Sequence, residues 1–208
     1  YDEKDFLRKD SLGENQTSVS ENNAFTITYT GTIAESYAPD TFFNAIGSLI
    51  KNNPGTLITF RFTGNMPKSM YDRLRSLPWA DRFEFNAYAA HEKVIEHMLS
   101  SAVLYLSIPQ AEGNKGILTG KLFEYLASEK PIIATGPPDG DAAGILNSCH
   151  AGKMFEPNDE KGILDHLQHL LDVWKTNKAA LLKSDEYKKY SRRSLAGQFS
   201  ELISKSGS

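Results

Sequence analysis

A chain of 208 residues, 40% hydrophobic and 24% charged, is long enough to bury about 70% of its unfolded surface, so its core needs neither disulfides nor metal staples. A formal charge of −3 gives no broad electrostatic drive toward nucleic acid or an anionic membrane, and a single cysteine, Cys149, excludes an internal disulfide framework and fits a reducing compartment. No apolar run approaches the roughly 18 residues of a membrane span. The chain opens with neither an initiator methionine nor a signal peptide, which reads as an N-terminus cut from a longer protein.

Residues 1–23 are polar, carry neither structural period and read as an extended lead-in or linker; the sequon Asn15-Gln16-Thr17 within them is read as a chance match. From Phe25 the pattern turns regular. FTITYTGT is a β-branched and aromatic strand ending at Gly31, and APDTFFNAIGSLIKNN places Phe42, Phe43, Ile46, Leu49 and Ile50 at helical spacing. TLITFRFTG, RFEFNAY, AVLYLSI, PIIAT and AGKMFE read as five further strands. Between and after them, MPKSMYDRLRSLP, AHEKVIEHMLS, GKLFEYLA, DAAGILNSCH and NDEKGILDHLQHLLDVWKTN read as helices. Such alternation with short connections implies a mostly parallel sheet of about six strands with helices on both faces. Ligands of such sheets sit beyond the carboxyl ends of the strands, near the switch in strand order. The residues there are Gly31-Thr32, Gly64-Asn65, Asn86 to Tyr88, Ser107 to Lys115 and Thr135-Gly136.

Two nucleotide motifs fail. The first turn holds Gly31 alone, not the three glycines of a dinucleotide fingerprint. GILTGKL has the Gly-Lys of a P-loop, but Lys115 stands at the first glycine and Leu122 at the magnesium-binding hydroxyl. The same segment suits an anion in another way. Gly120 has no Cβ to keep a ligand off the backbone, and the helix it opens presents free N–H groups and the positive end of its dipole. Lys121 adds a mobile positive charge and Lys115 a second from the loop before it. Glu124, expected in the first turn, can accept two hydrogen bonds from vicinal hydroxyls such as those of a ribose. The plainer alternatives are a glutamate that complements the helix dipole and a Gly-Lys that is only a loop. Leu122, Phe123, Tyr125 and Leu126 read as core either way.

The run GKLFEYLASEKPIIAT resembles the donor-binding segment of GT-B glycosyltransferases, in particular the family-4-like enzymes of surface polysaccharide synthesis. ITYTGTIAESYAPDTFFNAIGSL and FEFNAYAAHEKVIEHMLSSAVLYLSI are similar to other parts of that half, YDEKDF resembles its linker, and KKYSRRSLAGQFSELI its final helix. The resemblance implies the Rossmann-like C-terminal half of a GT-B fold. It divides the chain into a lead-in from an N-terminal domain (1–23), a nucleotide-sugar-binding domain (24–186) and a C-terminal helix packing back toward the N-terminal domain (187–208). It gives Glu124 the ribose hydroxyls and sets Gly120, Lys121 and Leu122, with Thr119, Gly116 and Lys115 beside them, against the diphosphate. Asn86, Ala87 and Tyr88 fall where the base is gripped, and Gly31 and Thr32 on the turn facing phosphates and acceptor.

Two departures stand out. Gly116 occupies the place of a second glutamate that contacts the donor sugar, with Glu112 the nearest carboxylate upstream, and the turn GTIAESYAPD lacks the usual Arg and Lys. The implied function is transfer of a sugar from a nucleotide-diphosphate donor to a saccharide or lipid-linked acceptor, with no cofactor, no metal and no nucleic acid. The catalytic base and acceptor pocket would belong to the N-terminal domain, leaving this portion inactive alone. The implied location is cytoplasmic, with peripheral attachment to the inner face of the membrane left open. A GT-B epimerase and a non-catalytic nucleotide-binding or interaction module are the rival readings. Elsewhere, His166 and His169 read as a solvated helix face, His91 as a helix-start residue, Cys149 as core or helix end, and His97 and His150 have no partner legible in the sequence.

Overall fold

The structure is a computed structural model that describes residues 1–6, 24–87, 89–176 and 185–206. Its strands are β1 (Ala24–Thr30), β2 (Leu57–Thr63), β3 (Phe83–Asn86), β4 (Val103–Ser107), β5 (Ile132–Thr135) and β6 (Gly152–Phe155). They form one sheet in the order β3-β2-β1-β4-β5-β6, every neighbouring pair parallel. Parallel neighbours require crossovers. These are built around α2 (Asp40–Asn52), α3 (Lys68–Ser76), α4 (His91–Leu99), α5 (Gly120–Ala127) and α6 (Asp141–Ser148), with α7 (Glu160–Thr176) following β6. The order reverses between β1 and β4, which sets a crevice at the carboxyl ends of those strands.

Alternation along the strands feeds two separate cores. Phe25, Ile27 and Tyr29 of β1 pack with Phe60 and Phe62 of β2, Tyr105 of β4 and the apolar faces of α2, α3 and α7. Leu104 and Leu106 of β4 point the other way, into α4, α5 and α6. On that second face β1 presents Thr26, Thr28 and Thr30, all buried. Buried hydroxyls need partners: Ser101 donates to Thr28 at 2.6 Å, and Thr30 bonds the Tyr125 phenol. A polar seam therefore runs under α4 and α5 to the end of β1.

The first residues depart from the extended lead-in. Glu3–Phe6 is one helical turn, α1, because Asp5 reaches His91 at the start of α4 (3.1 Å) and Tyr1 lies between Phe6 and Tyr187. The rest of that lead-in, with Asn15-Gln16-Thr17, lies outside the described residues. The expected boundary at 186/187 falls inside a 3-10 turn, Glu186–Tyr190, whose Tyr187 donates to Glu129 (2.7 Å) and whose Tyr190 packs on Phe123. The last helix, α8 (Arg192–Ser206), leaves Leu195, Phe199 and Ile203 49%, 66% and 57% exposed. Among the described residues no helix is long and apolar enough to cross a membrane.

Candidate functional site

At the ends of β1 and β2 the chain leaves the sheet through glycines in the left-handed half of backbone space, Gly31 (φ 94°) and Gly64 (φ 141°). A Cβ on Gly64 would stand 2.1 Å from the Gly31 carbonyl oxygen, so the two turns meet backbone to backbone. Gly31 N–H donates to the Thr63 carbonyl (2.8 Å) and Gly64 N–H to that of Asn86 (2.9 Å). These turns, with Thr30, Thr32, Thr63 and Asn65, floor a cleft of about 360 Å³. Ala89 and Val94 wall it on the α4 side, Lys121 and Glu124 on the α5 side.

Tyr125 holds α5 in place. Its buried phenol oxygen accepts from the Thr30 N–H (2.9 Å) and from the Thr30 hydroxyl (3.3 Å), tying the helix to the last residue of β1. Burial raises its pKa well above the ordinary phenol range, so it stays protonated. Thr63, on the floor, bonds His97 Nδ1 at 2.8 Å. Burial, then the charges of Arg61 and Lys93, push the His97 pKa down and favour the neutral ring.

Lys121 is not the mobile charge expected. Its Nζ lies 3.7 Å from the centroid of the Tyr29 ring, and its Cε runs so close to Gly31 that a Cβ there would sit 3.2 Å away. Burial lowers its pKa to about 7, with Glu124 pulling the other way. No ion pair reaches this amine among the described residues. Glu124 stands in the second turn of α5 rather than the first, because the helix begins at Gly120 and no acidic residue lies in its first turn. That removes the dipole-complementing explanation for it. At the helix start Thr119 makes no side-chain cap, its buried Oγ1 finds no partner among the described residues, and a Cβ on Gly120 would meet nothing within 4 Å.

Of the residues expected from the sequence, Gly31, Thr32, Lys121 and Glu124 thus share one cleft, with Gly120 and Thr119 at the adjoining helix start. Leu122 is fully buried, so only its backbone can face a ligand. Asn86 spends its carbonyl on Gly64, Ala87 is exposed beside it, and Tyr88 lies outside the described residues. Lys115 does not join the cleft. It pairs with Asp139 in a separate polar hollow with Gln110, Asn114 and Glu156, and the same short 3-10 turn carries the exposed Gly116. Glu112 is exposed on the loop before that turn. Nor, among the described residues, does another base fill the gap after β1: Arg73 of α3 reaches that turn but is held by Glu35 (3.0 Å) and Asp40 (3.3 Å). Lys121 is the one cation lining the cleft among the described residues. Sequence reasoning missed Thr63, Ala89, Val94 and His97, whose roles depend on partners far along the chain. Outside the cleft, His169 is exposed but His166 is half-buried against Phe155, its pKa lowered to about 4 by burial and then by Lys153. Among the described residues no three His, Cys, Asp or Glu side chains are grouped to hold a metal.

Solved structures with this fold include the pneumococcal O-GlcNAc transferase GtfA in complex with UDP and GlcNAc, 15% identical, with a TM-score of 0.62 over 87% of this chain and 35% of that one. The glycosyltransferase WaaG, involved in lipopolysaccharide biosynthesis, is 16% identical, with a TM-score of 0.57 over 82% of this chain and 42% of its own. Anabaena Alr3699/HepE in complex with UDP-glucose is 14% identical, with a TM-score of 0.68 over 99% of this chain and 56% of that one. The chain thus spans from about a third to just over half of these relatives. Its fold is that of the C-terminal half of a GT-B glycosyltransferase. No curated protein matches the chain. The family model described as Glycosyl transferases group 1 matches residues 24–173, which cover all six strands, the cleft and most of α7. The chain belongs to the group 1 glycosyl transferases.

Proposed function

We propose that the cleft binds the diphosphate and ribose of a nucleotide-sugar donor, and that the protein transfers the sugar to a saccharide or lipid-linked acceptor in glycan synthesis. The observation that carries this reading is Lys121: a half-buried amine that makes no ion pair among the described residues and lines a cleft whose neighbouring helix start is uncapped by any side chain. A buried cation without a partner is costly, and an anionic ligand relieves that cost. The nucleotides named with the pneumococcal and Anabaena relatives support the ligand class.

In this reading the α5 amides and Lys121 hold the two phosphates. Glu124 accepts from the ribose hydroxyls, and the base lies toward Asn65, Ala89 and Val94. Fixed dipoles and one lysine stabilise the charge that grows on the departing diphosphate. The acceptor and any catalytic base come from an N-terminal domain, and α8 packs toward that domain through Leu195, Phe199 and Ile203. The site of action is the cytoplasm or the inner membrane face.

Titration calorimetry with UDP and GDP tests the binding half of the proposal. Binding in the micromolar to low millimolar range is expected, with Glu124→Ala weakening it at least tenfold while the melting temperature moves by less than about 2 °C. No heat at millimolar nucleotide would leave the non-catalytic module as the better reading.

A further inference from the structure

Resting on the reading above, we propose that donor binding is proton-linked: the diphosphate and one solvent proton enter the cleft together, the proton going onto Nζ of Lys121. The geometry around that amine favours this. The side chain lies flat in the cleft because Gly31 has no Cβ to lift it, which puts the ammonium over the Tyr29 ring rather than in water. A ring face returns less to a cation than the loss of water and of charged partners costs it.

The surrounding groups offer nothing better. From β1 and β4 the neighbours are Tyr29 and Tyr105, phenols that burial keeps protonated. From β2 comes Thr63, backed by the neutral His97 of α4, and the turn after β1 brings Tyr37 toward Tyr29. From α5 come Tyr125 and Glu124; the latter is the one carboxylate that influences Lys121, and it forms no ion pair with it. These protein groups alone leave the amine near pH 7 in its titration, and a dianion within about 4–6 Å pulls that titration upward by one to three pH units or more. The bound state then holds more protons than the free state, so affinity must fall as pH rises above 7.

Calorimetry with UDP at pH 8, in Tris and in a buffer of low ionisation enthalpy, reads the proton count directly. The terminal phosphate of UDP, with a pKa of about 6, no longer titrates there. Uptake of roughly 0.5–0.9 proton is expected, with Kd rising about five- to tenfold between pH 7.5 and 8.5. Lys121→Arg, whose guanidinium cannot deprotonate, should bind UDP without uptake and with a flat profile. Lys121→Met should bind more weakly and also flatly. Wild-type binding with less than about 0.2 proton taken up, or either variant keeping the wild-type slope, would overturn the proton linkage while leaving the donor site intact. Absence of UDP binding at every pH would overturn both.

Discussion

In the unfolded chain Lys121 titrates near the ordinary lysine value, and in the folded chain its amine is held near 7. Between those values the unfolded state binds more protons, so this group makes the protein more stable as pH rises from about 7 toward 10.5, and its penalty is fully present below pH 7. Lys121→Met should therefore raise the melting temperature at pH 6–7 by several degrees, an advantage that fades by pH 10, while nucleotide affinity drops. Melting curves across that range check the sign; a destabilised variant at pH 6 would mean the ring contact outweighs the burial. Two glycines separate structure from function in the same way. Gly64→Ala forces a Cβ onto the Gly31 carbonyl and should cost about 2–4 kcal/mol. Gly120→Ala meets open space, so stability should hold or rise by about 0.5–1 kcal/mol, and only nucleotide binding should suffer.

At the scale of elements, the register of α5 against β1 decides whether the cleft exists. Tyr125→Phe removes the acceptor of a buried backbone N–H, which costs about 1–3 kcal/mol and frees the helix carrying Lys121 and Glu124. Denaturant unfolding and UDP titration of the variant should both move; an unchanged affinity would show that packing of Leu122 and Leu126 alone holds the helix. The helix itself was legible as GKLFEYLA with its start at Gly120, and counting 3.6 residues per turn from that start puts Glu124, the fifth residue, beyond the first turn where it was expected. On α7, helical period marks Ile163, Leu167 and Leu171 as buried and sets the histidines outside. Phe155 of β6 then covers half of His166, which no period along α7 could reveal. Since its folded pKa of about 4 lies below the ordinary 6.5, stability is lost as pH falls through that interval. His166→Gln should flatten this acid limb, worth roughly 1–3 kcal/mol, in melting curves from pH 7 to 4.

For the whole molecule, the outward apolar residues of α8 are the clearest mark of an interaction beyond these six strands. Isolated exposed hydrophobics are ordinary, but Leu195, Phe199 and Ile203 recur every four residues and so line one stripe. In a complete two-domain enzyme, replacing all three with Ser should lower transfer at least tenfold and leave UDP binding within about twofold. Loss of both together would place the stripe's role inside this half. His91 supplies a second, smaller tie, since its bond to Asp5 draws α1 onto α4.

The amino-acid sequence by itself determined the order and type of all six strands and the helices between them, because hydrophobic period is a local property that survives without knowing any partner. It also pointed to the carboxyl ends of the strands, where the structure shows a cleft, and it singled out Lys121 and Glu124, which line it, by residue type. Only the tertiary structure decided which charges meet. Lys115 and Lys121 are six positions apart and look equivalent on paper, yet one is spent on Asp139 while the other is laid across Tyr29 and makes no ion pair among the described residues. Electrostatic partners are chosen by distance through space and by exclusion of water, and neither quantity is written along the chain.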